Sequence, residues 1–201
     1  MLLTTAYFPP IEYFALLAKY SVVYMEACEN SQKQSWRNRC QILTANGVES
    51  LNVPVVHENG TFSLPIKEIR VEYTTPWVLR TERAIESAYS SSPFFIYYKD
   101  ALFSILDSHP ETLWELNRSL IDFFCSKIGI SPSILETADY SPAAEDYREV
   151  IHPKRENTIM QDLGLERPYW QVFRDKFGFV PGLSIMDLLF NEGPESICWL
   201  R

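Results

Sequence analysis

The chain predicts a mixed α+β fold: a small central sheet that includes a β-hairpin at about 34–55, packed by several helices, in a single domain over 1–201. Three observations predict it. Asn46-Gly47 stands between alternating apolar and polar residues, the strongest short hairpin signal. The opening reads strand, helix, strand, a βαβ-like unit. Residues 75–129 carry three consecutive helical patterns, each with start signals. With 46% hydrophobic and 22% charged residues over 201 positions, the chain has the apolar content that one core needs.

Taken in order, Leu2–Tyr7 is a short apolar run that reads as a buried strand. Pro9-Pro10 opens a helix, because proline suits the first turn, and Ile11, Phe14, Ala15 and Ala18 form its core face. Ser21–Met25 is β-branched and aromatic, a second strand. A turn at Asn46-Gly47 pairs Ile42 with Leu51, Cys40 with Val53, Gln41 with Asn52 and Leu43 with Ser50. An unbroken strand then sets Lys33, Arg37 and Arg39 on one polar face. Pro54 opposes Arg39 where an N–H is needed, so either the ladder ends before it or a bulge intervenes.

Pro65–Tyr73 alternates and reads as another strand. Thr75-Pro76 starts a helix to about Tyr89, and Ser92-Pro93 one to about Leu106. Ser108 and Glu111 form a capping box for a third helix, ended by Gly129. Its apolar stripe is Leu113, Leu116, Leu120, Phe124 and Ile128. Between Glu136 and Pro168 apolar residues thin out, and a loop of that length is usually functional or disordered. Tyr169–Phe173 reads as a short strand and Ser184–Phe190 as a helix stopped by Gly193-Pro194.

Composition excludes several classes. No run of 18 apolar residues exists, so no membrane insertion is expected. The start Met1-Leu2-Leu3-Thr4-Thr5 lacks the basic and apolar regions of a signal peptide, which predicts a cytoplasmic protein. Cys28, Cys40, Cys125 and Cys198 have no C-x-x-C spacing, so they read as reduced buried thiols rather than metal ligands. Neither a metal nor an organic cofactor is required. A net charge of −8 argues against a nucleic-acid partner.

Against that acidity, residues 30–48 contain no Asp or Glu but hold Lys33, Arg37 and Arg39 among Asn30, Gln32, Gln34 and Asn38. Guanidinium forks interleaved with amides suit a small anion such as a phosphate or carboxylate. The plainer explanation, a solvated strand face, does not need the amides. Tyr7-Phe8-Pro9-Pro10 at a strand end reads equally as a ligand cradle before a helix N-terminus or as a proline-capped turn. His152 and Lys154 offer an acid/base group and an anion anchor in the polar segment, although a lone loop histidine is more often simply exposed. His57 and His109 are weaker candidates. Ser184 and Asp187 fit a capping box better than a catalytic pair, and Asn191 belongs to a helix stop that still reaches toward a pocket. Cys28 lacks an evident activating base other than Lys33.

Taken together, the chain resembles the WbqC-like family. The resemblance rests on Ala6-Tyr7-Phe8-Pro9-Pro10, on Lys33-Gln34-Ser35-Trp36-Arg37-Asn38-Arg39 and on Leu51-Asn52-Val53-Pro54-Val55. It continues through Ile85-Glu86-Ser87-Ala88-Tyr89, Ser92-Pro93-Phe94-Phe95, His152-Pro153-Lys154 and Tyr169-Trp170-Gln171-Val172-Phe173, and ends on the run from Gly178 to Pro194. The family name comes from O-antigen gene clusters, so the resemblance implies bacterial surface-polysaccharide (lipopolysaccharide) biosynthesis. It strengthens Arg37, Asn38, Arg39, His152, Lys154, Asp187 and Asn191 as site residues.

The resulting expectation is an enzyme that transfers a small acyl or aminoacyl group to a nucleotide-activated sugar. Lys33, Gln34, Arg37, Asn38, Arg39, Lys154 and Asn191 bind the anionic substrate, a nucleotide sugar or carboxylate, and Tyr7 and Trp36 supply wall area. His152 acts as base, oriented by Asp187. The alternative is a non-catalytic binding or adaptor protein for a glycan intermediate or an envelope-synthesis enzyme.

Overall fold

A computed structural model of the chain describes residues 1–32, 34–56 and 64–201. It shows the mixed α+β architecture. Strands β1 (Leu2–Thr4), β2 (Val22–Glu26) and β5 (Ser133–Glu136) form a parallel sheet in the order β1-β2-β5. Strands β3 (Arg39–Thr44) and β4 (Gly47–Asn52) form a separate antiparallel pair. Helix α1 (Ile11–Lys19) links β1 to β2, and α2 (Trp77–Tyr89), α3 (Phe95–Asp107) and α4 (Leu113–Ile128) follow the hairpin. Two short helices, α5 (Ile159–Asp162) and α6 (Arg174–Phe177), precede α7 (Ile185–Glu192). No helix is long and apolar enough to cross a membrane among the described residues.

The βαβ opening forms as its pattern predicts. Leu2 pairs with Tyr24 and Thr4 with Glu26. Period-2 alternation turns Val23 and Met25 inward, both 0% exposed, while Val22 and Tyr24 face out. The core gathers on α4, whose predicted stripe is fully realised. Leu116, Leu120 and Phe124 are all 0% exposed, and Phe124 meets the rings of Phe8 and Phe14 at 6.0 and 5.9 Å. Helix α7 is buried from Ile185 to Asn191 and packs on α1, α3, α4 and β3, the central position that a helix apolar on all sides takes.

Several boundaries differ from the sequence expectation. The hairpin pairs Cys40 with Leu51, Ile42 with Glu49 and Thr44 with Gly47, so each partner lies two residues from the expected one. Ala45-Asn46 makes the connection, and the positive φ falls on Gly47 at 108°. Ala45 and Asn46 keep negative φ, so the connection is not the type I′ turn, which needs positive φ at both central residues. A shift of two keeps the faces, so Cys40 and Ile42 still point inward. The ladder ends at Arg39–Asn52, before Pro54, which removes the conflict that proline posed. The strand does not extend back to residue 34, because Trp36–Asn38 is a 3-10 turn.

Pro65–Tyr73 is not a strand. Ile66–Glu68 is a 3-10 turn, and the backbone bonds go to scattered partners: Ile66 N–H to Glu29 O at 2.7 Å and Val71 N–H to Glu111 O at 3.0 Å. Its alternation places Ile69 and Val71 in the core, and Val71 meets Val55 in an isolated antiparallel bridge rather than in a ladder. The capping box of α4 is Thr112 with Glu115, at 3.1 and 3.2 Å, one turn later than expected. Ser108 instead closes α3 by donating to Ile105 O at 2.8 Å, and His109 turns the chain at φ 50°. Gly129 ends α4 as anticipated. Tyr169–Phe173 is irregular and leads into α6.

The polar stretch after Glu136 is tied into the fold by Ile151 and Ile159, which reach the core, and by buried charge pairs. Asp146 bridges Leu2 alongside β1, and Arg148, only 7% exposed, holds Glu26 at 2.7 Å and Asp146 at 2.5 Å. Of the cysteines, Cys40 and Cys125 are buried as expected, whereas Cys28 is half-buried and Cys198 is exposed.

Candidate functional site

The Trp36–Asn38 turn is a partition between two concavities. Its backbone is pinned from both sides: Tyr7 N–H donates to Trp36 O at 2.8 Å, and Asn117 Nδ2 donates to Arg37 O at 2.8 Å. Trp36 faces one concavity, and Arg37 and Asn38 line the other.

The first is a groove of about 790 Å³ between the open end of the hairpin and α2. Trp77, Arg80, Thr81 and Ala84 reach it at i, i+3, i+4 and i+7 from one face of α2. Arg37, Asn38 and Arg39 reach it from the other side. The three guanidinium groups are in different states. Arg37 is 3% exposed and its fork is taken by Glu29, with Nε to Oε1 at 2.8 Å and Nη2 to Oε2 at 2.5 Å. Its Nη1 donates to Gln32 at 3.3 Å. Burial lifts the Glu29 carboxyl above its ordinary range, and Arg37 opposes that rise. Arg39 gives Nε to Asn52 Oδ1 at 3.0 Å. Arg80 is exposed and has no side-chain partner among the described residues. Glu49 is the acid on the lining. An incoming anion therefore meets Arg39 and Arg80, and only the unused N–H groups of Arg37.

The second is a cavity of about 510 Å³ on the other side of Trp36. Its walls include Trp36, Tyr169, Phe179 and Trp199, with His152 at one side and Glu12 from the first turn of α1. His152 Nδ1 accepts the Lys154 backbone N–H at 3.2 Å, which in the neutral ring leaves the proton on Nε2. Burial first, then Arg155, lowers the His152 pKa below its ordinary value, which favours the neutral ring. Glu12 is 8% exposed and accepts from Asn157 Nδ2 at 3.3 Å. Burial raises its pKa.

Behind Tyr169 lies a closed polar cluster. Tyr169 donates its hydroxyl to Asp187 Oδ2 at 2.6 Å, and Gln171 Nε2 donates to the same oxygen at 2.9 Å. Asp187 is 1% exposed, and burial pushes its carboxyl up to about 6 despite these donors. Two expectations are corrected here. Asp187 does not complete a capping box: Ser184 accepts from Met186 N–H at 3.3 Å, while the Asp187 carboxylate turns away toward Tyr169. Nor does Asp187 orient His152, because its partners are Tyr169 and Gln171.

The remaining expected residues scatter around these features. Tyr7 is 0% exposed and packs on Phe8 at 4.5 Å, so it lines neither concavity. The helix N-terminus beyond it is closed too: Ile11 N–H bonds to Leu183 O at 3.2 Å, and Glu12 supplies the negative charge there. Gln34 is exposed at φ 58° and accepts from Lys154 Nζ, a contact that joins the two rims. Asn38 donates to Val53 O at 3.0 Å. Asn191 donates to Asp187 O at 2.7 Å from a buried position on α7. Lys33 and His57 lie outside the described residues. His109 packs on Tyr73 at 4.6 Å, away from both concavities, and Cys28 Sγ faces Thr137 O at 3.7 Å. No group of three or more His, Cys, Asp or Glu positioned to hold a metal ion occurs among the described residues.

Sequence reasoning missed Trp77, Arg80 and Thr81, and also Glu12, Glu29 and Tyr169. Arg80 and Thr81 had a signal: a basic and a hydroxyl residue beside Trp77 on the face of α2 that also carries Ile85 and Ala88. Glu29 had one as well, since it opens the basic run and its charge is the nearest available. Glu12 had none, because an acid in a first helical turn is ordinary.

The chain belongs to the WbqC-like protein family, whose model matches residues 5–164. It is 30% identical over 222 residues to the uncharacterized protein Rv1507c of Mycobacterium tuberculosis, covering 97% of this chain and 94% of that one. No solved structure matches the chain.

Proposed function

We propose that this protein is an enzyme that transfers a small acyl or aminoacyl group to an amino or hydroxyl group of a nucleotide-activated sugar in bacterial surface-polysaccharide synthesis. The observation that carries this reading is the pairing of a basic groove with an aromatic-walled cavity across one rigid turn. Arg39 and Arg80 hold the phosphates of the nucleotide, and Trp77 and Thr81 line the rest of that groove. The amide of Gln34 and the ammonium of Lys154 bridge the rims toward His152. His152 acts as a hydrogen-bond donor through Nε2–H to the oxyanion of acyl transfer, rather than as the base its residue type first suggests. The pathway is the one that the family resemblance implies.

The test is a thermal-shift screen of nucleotide sugars, free nucleotides and acyl donors on the wild type and on Arg39→Ala/Arg80→Ala. A ligand at about a hundred times its Kd stabilises by about 2.7 kcal/mol. For a chain of this size that is a shift of roughly 5–10 °C. A nucleotide-dependent shift that disappears in the double variant supports the reading. Stabilisation without turnover, and no loss on His152→Ala, favours a non-catalytic binding or adaptor protein instead.

A further inference from the structure

Glu12 is the feature that the groove does not explain. Its carboxylate sits 8% exposed on the wall of the 510 Å³ cavity. Among the described residues no Lys, Arg or His pairs with it, and its side-chain partner is the neutral amide of Asn157. The cavity's own arginines are spent elsewhere: Arg155 holds Glu149 at 3.0 Å, and Arg167 bonds to Cys198 O and lies over the Trp199 ring. Every other deeply buried acid here has a donor suited to it: Glu29 has Arg37, Glu26 has Arg148, and Asp187 has Tyr169 and Gln171. The first turn of α1 and Asn157 offset only part of the cost of burying this carboxylate, which is relieved further by uptake of a proton or by a cation that a ligand brings.

The surroundings define that ligand's chemistry. Trp36, Tyr169 and Trp199 provide flat apolar walls, and Gln41, Asn157 and Gln161 provide amides around them. Flat rings suit the C–H face of a pyranose, and amides suit its hydroxyls, since each both donates and accepts. Aromatic faces also favour a nearby ammonium. The volume lies within the usual range of small-molecule sites.

We propose that this cavity binds the amino-sugar ring of the acceptor, with its amino group on Glu12, and that Glu12 is the base of the transfer. The inference rests on the acyl-transfer reading above and names its acceptor. The amino group arrives as an ammonium and gives one proton to the Glu12 carboxylate. The neutral nitrogen then attacks the carbonyl of an activated acyl donor such as a thioester, forming the C–N bond. The C–S bond breaks, its electron pair leaves with the sulfur, and the departing thiolate takes the second proton from the now acidic nitrogen to leave as the thiol. Glu12 returns its proton to water. A carboxyl whose pKa is raised by burial is a better base for this step than an exposed one.

The test is calorimetric titration with 2-, 3- and 4-amino-deoxyhexoses, their N-acetyl forms, glucose and uridine diphosphate. The probes are titrated into the wild type, Glu12→Gln and Gln161→Trp. Gln161 is exposed at the cavity rim, so tryptophan there blocks entry without disturbing the core. The expected result is that at least one free-amine sugar binds, and that glucose and the N-acetyl forms bind at least about tenfold more weakly. Both variants lose that binding and keep uridine diphosphate. Failure of every amino sugar to bind overturns the proposal, as does equal binding of the N-acetyl forms or unchanged binding by Glu12→Gln. Uridine diphosphate binding that survives such a failure leaves the groove reading standing. Amino-sugar binding without any uridine diphosphate binding defeats the groove reading instead.

Discussion

Arg37 and Glu29 form a forked pair inside the protein, at 2.8 and 2.5 Å, with both side chains 4% exposed. The guanidinium that looks most available for a ligand in the sequence is thereby committed to an internal carboxylate. Removing one partner strands the other's charge in a low-dielectric site. Arg37→Ala or Glu29→Ala is expected to cost about 3–5 kcal/mol, a fall in Tm of roughly 6–20 °C. Replacing both together, Glu29→Leu with Arg37→Met, is expected to recover most of that loss. Thermal denaturation of the four proteins in a double-mutant cycle reads the coupling directly.

Asp187 makes stability fall as pH rises. Its folded carboxyl titrates at about 6, against about 3.9 in an unfolded chain. The folded state therefore binds the proton more tightly. The contribution is complete below about pH 4 and is lost as pH climbs through about 6. The difference corresponds to about 3 kcal/mol. Asp187→Asn keeps an acceptor for Tyr169 and Gln171 but cannot ionise. Relative to wild type, that variant should gain stability between pH 4 and 7 and then stay level. Urea denaturation of both proteins across that range measures it.

His152 is expected to titrate below the ordinary histidine value, because burial and Arg155 disfavour its charged form. Its neutral tautomer should carry the proton on Nε2, since Nδ1 accepts from Lys154 N–H. Nitrogen-15 NMR of the imidazole across pH 4–8 reports both. A proton on Nδ1 at neutral pH would remove the donor role assigned to His152.

Gly193 closes α7 with φ at 58°, and a Cβ there would lie 2.5 Å from the Phe94 ring. Gly193→Ala adds a strained backbone to a steric clash and is expected to cost roughly 2–4 kcal/mol. Gly164, also at positive φ but with open space around it, should lose less on the same change. Denaturation midpoints of the two variants compare the terms.

The groove's cations are expected to act through the ligand rather than the fold. Arg80→Ala should leave Tm within about 2 °C, because an exposed arginine without a partner adds little stability. The same change should weaken a bound nucleotide diphosphate by about tenfold or more. Differential scanning fluorimetry with and without uridine diphosphate separates the two effects.

The sequence by itself determined what local chemistry governs. Alternation at Val22–Met25, the apolar stripe of α4, the stop at Gly129 and the hairpin's inner face at Cys40 and Ile42 each follow from residues a few positions apart. The hairpin register was missed by two because one glycine at positive φ serves more than one turn type. The alternation in Pro65–Tyr73 misled for a related reason: burial on one side needs only a 3-10 turn and an isolated bridge to Val55, not a continuous ladder. Tertiary structure alone decided the site. Arg39 on β3 faces Arg80 on α2 across a groove, Glu12 on α1 meets Asn157 across 145 positions, and Asp187 turns to Tyr169 rather than to His152. Which charges are neutralised and which remain for a ligand depends on segments brought together by the core. That pairing energy is set by distance and burial, and neither is written in the spacing of residues along the chain.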